Sequence, residues 1–137
     1  EEHGLDPGRV RFEQATASDF EEGDFDLVTC FDALHDMGDP AGTAAHVFEK
    51  LKPDGTWMVV EPMAADELSD NFNPVGRLFY AASTSICVPT ALAQKTGLAL
   101  GAQAGERKLT EVIKEGGFRK VRRAAETPFN IVLEARA

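Results

Sequence analysis

The sequence predicts an α/β fold in which parallel strands are joined by a crossover helix and the sheet ends in a C-terminal antiparallel hairpin. Two apolar, β-branched runs at residues 25–30 and 56–61 flank a capped amphipathic stretch, the pattern of a strand–helix–strand unit with parallel strands. Two further strand-like runs, 118–126 and 129–136, are joined only by Thr127-Pro128, a link too short for anything but an antiparallel pair. The length of 137 residues and a hydrophobic fraction of 43% suffice for one domain with a core of its own. The chain therefore reads as a single domain over 1–137.

In chain order, Val10, Phe12 and the stretch to Ala17 suggest a short strand running into a loop. Residues 19–24 form an acidic, turn-like segment. Phe25–Cys30 is compact and apolar enough to be buried on both faces. Asp39 is placed to cap a helix and Pro40 suits its first position. Ala44, Val47, Phe48 and Leu51 recur at helical spacing and define its buried face. Pro53-Asp54-Gly55 stops it, and Thr56–Glu61 is the next strand.

Residues 62–105 are irregular, and too long for an ordinary connection. Such a stretch reads as a lid-like insert with helices of its own. Within it, Asn71, Asn73, Arg77 and Tyr80 are candidates to meet a ligand, whereas Phe72, Phe79 and Tyr80 are expected mainly as core. Gly97, Gly101 and Gly105 recur every fourth residue, which suits close helix packing and not a phosphate-binding turn. A helix over Glu106–Glu115, with Leu109, Val112 and Ile113 on one face, stops at Gly116-Gly117.

The formal net charge of -9 argues against nucleic acid or an anionic membrane surface as partner. No apolar run approaches the roughly 20 residues of a membrane helix. The opening EEHGLDPGRV is charged and turn-rich, unlike a secretory leader, and its first residue is Glu, which suggests a piece of a longer product. Cys30 and Cys87 form no CxxC pair and no ligand spacing with the three histidines, so no metal site is expected. Two free thiols fit a reducing, cytoplasmic setting.

The chemistry concentrates at two strand exits. In a parallel sheet both exits lie on the edge where ligands bind. His35 follows the first strand and Glu61 ends the second. An imidazole, with an ordinary pKa of about 6.5, can take a proton from a hydroxyl, and a carboxylate on its other nitrogen would fix the tautomer. Glu61 suits that role better than Asp36, whose side chain should point away from its sequence neighbour. The structural alternative is that His35 closes a loop while Glu61 pairs with an arginine such as Arg77. Asp32 either reaches a ligand or is solvated.

Several segments together resemble the second half of a class I S-adenosylmethionine-dependent methyltransferase, and so a partial Rossmann-like methyltransferase fold. VRFEQATASDF resembles that family's third strand and adenine-side loop. FDLVTCFDALHDMGDP resembles its fourth strand, LKPDGTWMVVEP its fifth, and LTEVIKEGGFRKVRRAAETPFNIVLEARA its last helix and final antiparallel pair. LHDMGDP is similar to the HDWSDE-type segment of small-molecule O-methyltransferases such as the plant caffeic acid enzymes. The resemblance implies His35 as general base, Glu61 as its orienting partner, S-adenosylmethionine as cofactor and a small hydroxylated molecule as substrate. It places Thr16 and Ala17 at the adenine-side position, where an Asp often sits, and Phe31 beside the adenosine or thioether; for these an ordinary loop and a core aromatic remain the alternatives.

The family's glycine-rich turn and the acid ending its second strand have no counterpart before Val10. The resemblance therefore implies that this chain alone holds the cofactor weakly or not at all. It also implies that the edge of strand 25–30 lacks a neighbour and invites self-association. The competing reading is a non-catalytic interaction or regulatory module on the same fold. A nicotinamide-dependent dehydrogenase half fits less well, since Tyr80 is followed by Ala, Ala, Ser and Thr and no glycine fingerprint is present.

Overall fold

A computed structural model describes residues 8–137. Four strands form one sheet in the order β1-β2-β4-β3. Strand β1 (Phe25–Phe31) runs parallel to β2 (Leu51–Pro62), joined by helix α1 (Pro40–Lys50). After β2 the chain makes α2 (Pro74–Ala82), a π turn at Ser83–Cys87 and α3 (Val88–Leu92), an almost continuous helical run. Helix α4 (Gly105–Glu115) then leads to the antiparallel pair β3 (Lys120–Glu126) and β4 (Asn130–Arg136), with β4 also antiparallel to β2. No helix among the described residues is long and apolar enough to cross a membrane.

The expected caps form. The Asp39 side chain accepts from Gly42 N–H at 2.8 Å, with Pro40 in the first turn of α1. Phe25 pairs with Leu51 and Leu27 with Thr56, so residues 52–55 bulge out where Pro53-Asp54-Gly55 turns the chain. Period-two alternation sends Trp57, Val59 and Glu61 to one face of β2, all essentially buried, beside Ile131 and Leu133 of β4. Val47 of α1 and Leu109 and Ile113 of α4 cover that face. Phe118 packs on Trp57 and Phe48, at centroid distances of 5.4 and 5.2 Å. At Gly116 an added Cβ would fall 2.6 Å from the Ala44 carbonyl carbon, so close contact between α1 and the end of α4 requires glycine there.

Four expectations fail. No strand forms over Val10–Ala17, and Phe12 is 94% exposed. A strand gains its ladder bonds only from a neighbour, and the outer edge of β1 pairs with none among the described residues. For the same reason β1 is not buried on both faces, and Leu27 and Phe31 are more than half exposed. Gly97, Gly101 and Gly105 do not line a helix face; all three take positive φ, 66°, 75° and 78°, around the loop before α4. Phe72 is exposed, not core.

Candidate active site

The loop from Asp32 to Asp39 carries the chemistry. Asp32 sits at φ 45°, a left-handed conformation, held by its N–H to Val60 O at 2.8 Å and by Asn130 Nδ2 on its carboxylate at 2.9 Å. This bend lets the chain leave β1 and enter the 3-10 turn Leu34–Asp36. His35 on that turn is 5% exposed.

Glu61, at the buried exit of β2, meets the turn with both oxygens. Oε2 lies 2.6 Å from His35 Nδ1, and Oε1 accepts the N–H groups of Leu34 and Ala33 at 2.9 and 3.2 Å. A carboxylate holding two backbone donors can only accept from the ring, so Nδ1 carries the proton and Nε2 is the basic nitrogen. Arg77 is not its partner; that residue is exposed on α2. Asp36 does not point away either. A 3-10 turn rotates each residue by about 120°, and Asp36 Oδ1 lies 3.3 Å from His35 Nε2. Burial alone would lower the imidazole pKa, but the Glu61 hydrogen bond and charge, with Asp36 and Asp32, outweigh it and hold the ring above 6.5.

The loop separates two cavities. One, of about 380 Å³, is lined by Asp32, His35, Phe79, Cys87, Phe129 and Asn130 among others. The other, of about 450 Å³, is lined by Thr16, Ala17, Met37, Asp39, Gln94 and Lys95 among others. Thr16 and Ala17 thus stand apart from the His35–Glu61 pair, on the far side of a shared loop. The Thr16 N–H donates to Asp19 Oδ1 at 2.5 Å, and hydrogen bonding from the Thr16 side chain, then from its backbone, holds the Asp19 carboxyl pKa below its ordinary value. Phe31 ends β1 with 61% of its surface exposed.

Four contributors escape sequence reasoning. Gln94 clamps the loop backbone, with Nε2 donating to Asp36 O and Oε1 accepting from Gly38 N–H, both at 2.8 Å. The N–H groups of Leu98 and Gly101 add bonds to Gly38 O and His35 O. Cys87, at the end of the π turn, lies against His35 and Asp36, although no spacing along the chain relates them. Burial and the Asp36 carboxylate push its thiol up to about 11. Burial and then Glu61 do the same to Cys30. Both cysteines are free.

The comparisons with known proteins agree with this architecture. No curated protein matches the sequence. Among solved structures, TnmH superposes with a TM-score of 0.70 at 16% identity, over 95% of this chain and 36% of its own. Human N-acetylserotonin methyltransferase, in complex with SAM, gives 0.67 at 17% identity, over 99% and 36%. An O-methyltransferase family protein from Burkholderia thailandensis gives 0.66 at 20% identity, over 95% and 36%. These likenesses show the fold, and this chain spans about a third of each. Residues 1–117 match a family model described as a methyltransferase domain. With most of the sequence inside that match, the chain belongs to the methyltransferase-domain family, whose members use S-adenosylmethionine.

Proposed function

We propose that this chain forms the catalytic edge of an S-adenosylmethionine-dependent O-methyltransferase acting on a small hydroxylated molecule. The carrying observation is the buried 2.6 Å contact between His35 Nδ1 and Glu61 Oε2. It presets the tautomer and stabilises the imidazolium that a general base becomes. Within the complete enzyme, His35 Nε2 would take the proton of the substrate hydroxyl and so make that oxygen the stronger nucleophile. Glu61, holding Nδ1 at 2.6 Å, orients the ring. When bound, S-adenosylmethionine supplies a methyl group already activated on a sulfonium. Thr16 and Ala17, on the wall of the 450 Å³ cavity, suit the adenine side of it; Phe31, exposed at the end of β1, does not line that cavity. The sequence offers no glycine-rich turn for the methionine end.

The test is His35→Ala in the full-length enzyme. Turnover at saturating substrate should fall by about 10²–10⁴-fold, the usual worth of a positioned base; unchanged turnover removes the role. The isolated chain should bind the cofactor weakly or not at all, and micromolar affinity by titration calorimetry would refute that. A second reading, a non-catalytic interaction module, draws on the edge of β1 that pairs with no strand among the described residues, with its exposed Leu27 and Phe31. It predicts self-association, and a clean monomer by sedimentation at high concentration counts against it.

A further inference from the structure

We propose that His35, Asp36 and Cys87 form a binding site for a thiophilic divalent cation of the zinc type. Their three donor atoms lie within 4.8 Å of one another. His35 is already arranged as a ligand. Glu61 holds Nδ1–H at 2.6 Å, the carboxylate–histidine arrangement that fixes ring orientation and raises basicity at metal sites. The free lone pair is on Nε2. Asp36 Oδ1, itself buried, stands 3.3 Å from that nitrogen as its ion-pair partner and has no conventional hydrogen bond among the described residues. An edge of 3.3 Å matches a tetrahedral centre bonded to N and O at about 2.0–2.1 Å. A cation there would bind that oxygen directly, in place of its ion pair with the ring.

Cys87 supplies the third ligand and the selectivity. A thiolate beside an imidazole and a carboxylate favours zinc over magnesium or calcium. On binding, a sulfur–metal bond replaces the S–H bond, the proton leaves to solvent, and no electron is transferred. Three protein ligands leave the fourth position open. His35 and Cys87 both line the 380 Å³ cavity, which has room there for water or an added ligand. The site joins the loop after β1 to the helical run of the insert. A cation on Nε2 also competes with proton transfer at the same atom. The site itself stands on ligand geometry, independently of the methyl-transfer reading.

The experiment is a cobalt(II) titration of the purified chain, followed by absorption. Saturable visible ligand-field bands and a near-ultraviolet thiolate-to-cobalt band should grow together to one equivalent, and zinc should displace both. Cys87→Ser should abolish the thiolate band, whereas Cys30→Ser should keep it. Glu61→Gln should weaken affinity by about 10–100-fold, the usual effect of losing such a partner. Asp36→Asn, a change at a partly exposed residue, should also weaken it and guards against a misfolded Glu61 variant, with circular dichroism checking the fold of each. Absence of a thiolate band at millimolar cobalt overturns the proposal. So does a band that survives Cys87→Ser or vanishes with Cys30→Ser. Neither result depends on whether His35 acts as a base.

Discussion

The strand–helix–strand unit and the insert behind it build the same loop by different means. The unit contributes through periodicity. Glu61 reaches His35 because it shares the buried face of β2 with Trp57 and Val59. The insert contributes through individual hydrogen bonds, from Gln94, Leu98 and Gly101, to backbone atoms of residues 35–38. A pair set by sheet geometry is buried in the core and hard to remove without damage to the fold. Contacts set by a strap are more exposed and can open separately.

Substitutions should separate the two contributions. The largest loss is expected for Glu61→Ala, which strands His35 and the N–H groups of Ala33 and Leu34. Breaking a buried pair of this kind costs about 3–5 kcal/mol, readable as a lowered denaturation midpoint at unchanged slope. Gln94→Ala removes the clamp and should cost about 1–3 kcal/mol. Its signature is local: faster hydrogen exchange at the Gly38 amide, with the amides of β2 unchanged. If β2 exchanges faster as well, the insert and the sheet open as one unit and the contrast fails. The smallest effect is expected far from the loop. Arg123 joins Glu106 of α4, at 2.8 Å from Nε, and Glu126 of β3. Arg123→Ala should cost about 0.2–1 kcal/mol, and less at high salt.

The same division explains what the sequence discloses. Asp39-Pro40 marks the start of α1, and residues 57, 59 and 61 follow a period of two, because caps and alternation are local properties. The position of Glu61 against His35 follows from them once the strands are parallel. Val10–Ala17 misled because strand formation depends on a neighbour that local composition does not reveal. Gln94 and Cys87 are illegible for the same reason. They reach the loop across more than 50 residues of chain, and their own surroundings, at the end of a short helix and in a π turn, carry no motif. The glycines at 97, 101 and 105 show the converse hazard. A regular spacing suggested a helix face where the backbone needed only left-handed turns.

The loop from Asp32 to Asp39 is a party wall: His35 faces one cavity, while Met37 and Asp39 face the other. Occupants of the two cavities would each press on the same eight residues. Any preference of one occupant for a particular setting of the wall must then appear, with equal free energy, in the affinity of the other. Coupling between two such ligands would run through these eight residues.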